Sequence, residues 1–329
     1  MKNKTPTEGE LRKLFCEIAQ GSSQGFHKEK CFFIKHLTQV DQYELEQQKE
    51  EVYEKAKARG LPTEKEALEI LIEGDVWSQE EENEIIETES YKKNLLETKR
   101  NLIVPSQIEN INKDLEEAEA KLKNLKDKKA SLLTQTCEGY SATKNNDYSL
   151  YILLHKDPSC TQKLFNWEEF GELSKVQLQE WLLAYGEMSG HLTLDYIKHL
   201  AISAIFGLYY NITGDKNLYA FFQKPVFELT FYQLNLLNYG RVLHSILENI
   251  EGIPEEIKKN PDDLLDYAES KRKNKDVVEK SKDKQGFSVM GATQKDMKDM
   301  GVSDEAAVSP FELAKKKGAL TLEDFQNFS

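Results

Sequence analysis

Between Pro105 and Leu133, apolar side chains recur at alternating spacings of three and four, at Ile108, Ile111, Leu115, Ala118, Leu122 and Leu125, while the other positions are mostly Glu, Lys, Asp or Asn. That is the seam of a coiled coil, and a helix carrying it has to bury the seam against another helix. The nearest partner precedes it. Ser78-Gln79-Glu80-Glu81 behind Trp77 is a capping box, and Glu80, Glu81, Glu82 and Glu84 crowd a helix N-terminus, where the macrodipole favours acids. This first helix carries a sparse stripe at Ile85, Tyr91, Leu95 and Leu102 and is interrupted at Val104-Pro105. The second restarts at Ser106, with Glu109 as the third residue of another capping box. A break this short predicts an antiparallel helical hairpin over 77–133 that projects from the body, the alternative being a coiled coil between chains.

The remainder divides around that hairpin, giving an all-α chain of helical domain, projecting hairpin and flexible C-terminal tail. Residues 1–76 read as short helices: Thr7 as N-cap for Leu11, Leu14, Phe15 and Ile18, then a helix-rich Gln39 to Arg59 with Gly60 as its stop. A further capping box lies at Thr63-Glu64-Lys65-Glu66. Cys31-Phe32-Phe33-Ile34 is apolar without helical period and fits either a lone strand or the entry into the next helix, the helical context being the favoured reading. Residues 134–270 gather Tyr148, Tyr151, Trp167, Phe170, Trp181 and Tyr185 into an aromatic-rich helical core, with helix starts at Ser174, Thr193, Thr230 and Asn260-Pro261. The last of these helices is expected to end near Ser270. Residues 271–329 then form a flexible linker or frayed helix followed by short capped pieces at Thr293, Ser309 and Thr321. Pieces of this size cannot hold a helix alone, so Met297, Met300, Phe311, Leu313, Leu322 and Phe325 are the expected partner-binding residues, the alternative being a solvated tail.

Charge and chemistry narrow the function. There are 44 Lys+Arg against 57 Asp+Glu, a formal charge of -13, and the basic residues are interleaved with acids, so no phosphate-binding stripe emerges and no nucleic-acid partner is expected. The start, Met1 to Arg12, is polar and predicts no secretory signal. The longest apolar run, Leu200 to Tyr210, is too short to cross a bilayer, so no membrane partner is expected. Cys16, Cys31, Cys137 and Cys160 lack CxxC spacing and read as reduced thiols. Gly21-Ser22-Ser23-Gln24-Gly25 matches the G-x-S-x-G nucleophile elbow, but an elbow follows a buried strand, whereas this serine follows a helical stripe and reads as a loop between helices. His27, Cys31 and His36, with Cys16, match no zinc spacing. The phosphate-loop, H-E-x-x-H and EF-hand patterns are absent from the sequence, so neither metal nor other cofactor is expected. An enzyme with an unrecognised helical site would have to use His155, His191, His199, Glu187 or Asp195.

Three stretches carry a resemblance: Gly74 to Glu82 leading into the charged hairpin, the apolar Tyr196 to Tyr210 helix, and Gly252-Ile253-Pro254-Glu255-Glu256 followed by Asn260 to Tyr267. Their layout resembles tail assembly chaperones and baseplate-associated structural proteins of large tailed bacteriophages. It implies a non-enzymatic role: holding tail or baseplate components soluble or taking a fixed place among them. The implied partners are other phage tail or baseplate proteins, and the implied location is the host cytoplasm during assembly or the virion tail. No binding residue is carried over by it. The alternative reading is a cellular coiled-coil adaptor.

Overall fold

The computed structural model describes residues 5–28, 30–213, 221–281 and 292–302. It is mostly helical, as the sequence leads one to expect, with one small sheet. The chain forms two compact units, one from Met1–Glu64 with Thr134–Leu265 and one from Lys65–Leu133 with Asp266–Ser329. Of the N-terminal stretch set apart by sequence, residues up to Glu64 thus cluster with the aromatic helices, while Lys65 to Val76 cluster with the hairpin. Among the described residues no helix is long and apolar enough to cross a membrane.

In the first unit, helix α1 (Glu8–Gln20) opens on a Thr7–Glu10 capping box and stops at Gly21, whose φ of 81° places it in the left-handed region. Strands β1 (Ser22–His27) and β2 (Lys30–Lys35) form an antiparallel hairpin, and β3 (Leu154–His155) joins the other edge of β2. The helical context expected for Cys31 to Ile34, and the loop expected for Gly21 to Gly25, are therefore corrected to strands. The physical reason is a period of two: Phe32 and Ile34 are buried while Cys31 and Phe33 alternate with them on the outer face. The inner face packs on α6 (Cys137–Leu153) and α8 (Lys175–Ser189), where Phe32, Ile34, Leu150, Leu153, Phe170 and Ala184 form a core with Trp181, Tyr185 and Met188 around it. Helix α2 (Gln39–Ala58) packs along α6, and α7 (Trp167–Gly171) supplies Trp167 and Phe170 to an aromatic group with Tyr148 and Tyr151. Beyond lie α9 (Leu194–Ala201), α10 (Ala204–Thr213) and α11 (Phe231–Asn249).

The second unit holds α3 (Glu64–Glu73), α4 (Gln79–Asn101) and α5 (Pro105–Leu132). Ion pairs run from Glu82 to Lys129, Glu84 to Lys121, Glu89 to Lys126 and Lys92 to Glu119, so α4 and α5 are antiparallel and close on each other within one chain. Leu115, Ala118 and Leu122 are buried on the expected seam. On α4 the facing stripe is Ile85, Thr88 and Leu95, and Tyr91 turns outward, because residue 88, three positions after 85, falls on the seam and residue 91 rotates off it. The capping box expected at Ser106–Glu109 does not form. Val104 is the N-cap and Pro105 the first helical residue, so Ser106 already lies inside the helix. Helix α12 (Pro261–Ser281) continues past Ser270 into the stretch read as a linker or frayed helix, and Asn274 within it is buried.

Candidate functional site

In the first unit, four chemistry-bearing side chains come together from α1, β1 and two connections, three of them buried and His191 part-buried. Glu17 on α1, Ser23 on β1, His36 after β2 and His191 between α8 and α9 form a continuous hydrogen-bonded chain. Each is placed for a local reason. Glu17 lies on the buried side of α1 with Leu14 and Ile18. Ser23 points inward by strand alternation, and His36 is anchored by its backbone N–H to the Gly21 carbonyl at 2.9 Å. The Ser23 hydroxyl lies 3.0 Å from Glu17 Oε2 and 2.9 Å from His36 Nε2, and His191 Nε2 lies 2.6 Å from the same Glu17 oxygen. Ser23 is fully buried and His36 only 2% exposed.

Counting protons settles the direction of these bonds. A carboxylate only accepts, so Ser23 spends its single hydrogen on Glu17 and His191 donates to Glu17 through Nε2–H. The Ser23 oxygen must then accept from His36, which carries its hydrogen on Nε2. His36 Nδ1 is left as a bare, buried acceptor without a partner. A serine nucleophile requires the reverse order, with histidine accepting the hydroxyl proton and an acid holding the other ring nitrogen. The arrangement here ties α1, the sheet and the α8–α9 connection together. Burial pushes the Glu17 carboxyl up, but the hydrogen bond and charge of His191, helped by Ser23 and Lys13, outweigh it and hold the group below its ordinary value. Burial drives His36 down to about 4, against the raising effect of Glu17 and with a further lowering by His191.

The other sequence candidates fall elsewhere. His155 donates Nδ1–H to the Leu153 carbonyl, Asp195 sits in the first turn of α9 beside Lys198, and His199 is held below its ordinary value by burial. Glu187 lies on the outer side of α8. His27 packs on the Trp181 ring, while Cys16 and Cys31 are exposed. Among the described residues no three His, Cys, Asp or Glu side chains are grouped to hold a metal ion. Sequence reasoning singled out Ser23, His36 and His191 one at a time and missed Glu17, because the bonds that unite them span separations that local spacing does not encode.

Of the expected partner-binding residues, Met297 and Met300 are buried within their own chain. Helix α13 (Gln294–Asp299) sets them against Val104, Ala292 and Val302, with Ile103 alongside, so they are already covered rather than free. Phe311, Leu313, Leu322 and Phe325 lie outside the described residues. Asp296 accepts from the Thr293 N–H at 2.9 Å and hydroxyl at 2.8 Å, completing the cap of α13. It also accepts from the Ser106 N–H at 3.0 Å and hydroxyl at 2.9 Å. One carboxylate thus serves the starts of two helices, and these hydrogen bonds hold it below its ordinary value against the opposing effect of burial. No family model, curated protein or solved structure matches this chain.

Proposed function

We propose that the chain is a non-enzymatic assembly factor or structural subunit of a large bacteriophage tail or baseplate, working through protein–protein contacts. The observation that carries the contact reading is exposed apolar surface grouped on single elements. On α8, Val176 and Leu183 are one heptad apart and both more than 60% exposed, with Leu182 beside them. On α10, Leu208, Tyr209 and Ile212 are exposed together. Scattered apolar residues are ordinary on a surface, but grouping of this kind marks contact faces. Closure of α4 on α5 within one chain uses the hairpin's seam internally, which favours this reading over an adaptor acting through an intermolecular coiled coil. The assignment to a phage tail rests on the resemblance of the sequence.

The test is a pull-down of the tagged full-length chain from cells expressing its neighbouring genes, beside a Val176→Glu, Leu183→Glu double variant. Capture of tail or baseplate proteins by the parent, reduced at least tenfold in the variant, supports the reading. Capture of none by the parent sinks it.

A further inference from the structure

The start of α5 is covered by a segment of the same chain. Val104 stands at its N-cap with no side-chain hydrogen bond, and Pro105 has no N–H, so the Ser106 amide is the first that needs an acceptor. Asp296 provides it, and the flanking Val104 and Ile103 are covered by Met297 and Met300. The polar and apolar positions of the docked segment Thr293-Gln294-Lys295-Asp296-Met297-Lys298-Asp299-Met300 that touch the start of α5 each have a use. Thr293 orients the carboxylate, Asp296 caps α5, and the apolar residues at the fifth and eighth positions fill the cluster.

The same pattern occurs a second time in the chain, at Thr321-Leu322-Glu323-Asp324-Phe325-Gln326-Asn327-Phe328. The third capped piece, Ser309 to Lys316, has Leu313 in the fifth place but lysine in the eighth and does not complete it. We propose that the start of α5, Ile103 to Ser106, is a docking site for segments of the form Thr-x-x-Asp-apolar-x-x-apolar, and that Thr321–Phe328 of the same chain competes with Thr293–Met300 for it. With Thr293–Met300 displaced, the second segment is tethered to the end of α12 through residues 282–320, which can span about 130 Å when extended. Because the cost of loop closure grows only slowly with length, the second segment meets its own site at a local concentration on the order of millimolar. A second copy of the chain is far more dilute, so the exchange is intramolecular.

A photo-crosslinking amino acid at position 326 of the full-length chain, in a mixture of unlabelled and isotopically labelled copies, tests this. Crosslinks to residues 101–109 within one copy are expected. Their yield should rise at least threefold with Asp296→Asn, which weakens the resident segment, and fall at least threefold with Asp324→Asn. Met300→Ala, which leaves the capping carboxylate in place, should give the same rise if Asp296→Asn disturbs folding. Crosslinks that avoid 101–109 in all forms, that join only different copies, or whose yield ignores Asp324 would overturn the proposal.

Discussion

His36 has one hydrogen and one place to put it. Its Nε2–H goes to Ser23, and its Nδ1 faces no donor or acceptor, so a second proton would be buried without a partner. In the unfolded chain the ring titrates near 6.5, and in the folded chain near 4. Between those values the unfolded state holds the extra proton, so the contribution to stability is complete above about pH 6.5 and is lost as pH falls toward 4. The drop is on the order of 3 kcal/mol. His155 and His199, also lowered by burial, add to the same slope, and Glu17, whose carboxyl is held low, loses its contribution only as pH falls further. Urea unfolding of the parent and of His36→Gln at pH 7, 5.5 and 4.5 is the check. The variant, whose amide still donates to Ser23, should lose markedly less stability on acidification, and parallel curves would show that His36 is not the titrating group.

Helices carry their own tests in where glycine is tolerated. Gly240 of α11 faces Phe206 of α10, and a Cβ there would lie 2.5 Å from Phe206 Cε1 and 2.9 Å from Cζ. That ring is fully buried and wedged among Tyr210, Phe221 and His244, so it cannot step aside. Gly240→Ala should cost about 1–3 kcal/mol despite the gain in helix propensity. Gly186, on the exposed side of α8, meets nothing within 4 Å, and Gly186→Ala should instead stabilise by about 0.5–1 kcal/mol. Thermal melts of the two variants should move in opposite directions, and a shared sign would mean the α10–α11 approach is looser than described. Much at this scale was legible in sequence. The boxes at Ser78, Ser174, Thr230 and Thr293 all form, because a cap needs only residues three apart. What was not legible depended on distant chain: β2 needs β1 and Leu154 as neighbours, and Ser106 gave up its box because Pro105 had already begun the helix. Gln233 shows both at once, closing its own box while its amide donates to the Ile18 and Ala19 carbonyls at the end of α1.

The division of the whole chain was the least visible from sequence, since each unit is assembled from two separated stretches. A hairpin inserted between Glu64 and Thr134 leaves its signature in heptads, but nothing local says that α1 and the β1–β2 hairpin return to pack with the aromatic helices. The tail follows the same logic. Its apolar residues look unpartnered when read along the chain, yet Met297 and Met300 lie over the hairpin's turn, where they are under 3% exposed. Truncation after Lys284 therefore removes a packed element, not a free arm. It uncovers Val104 and Ile103, and it takes from Ser106 the acceptor for an amide at a helix start. Uncovering these groups costs a few kcal/mol by area and hydrogen-bond arguments, and the cost should fall on the second unit alone. Hydrogen exchange read by mass spectrometry should show faster exchange across residues 104–109 in the truncated chain. Residues 150–155, of which Leu154 and His155 pair with β2 while Leu150, Leu153 and Leu154 line the core of the first unit, should be unchanged. Acceleration in both stretches would mean that the two units unfold as one, and acceleration in neither would mean that the α13 contact contributes nothing to the hairpin.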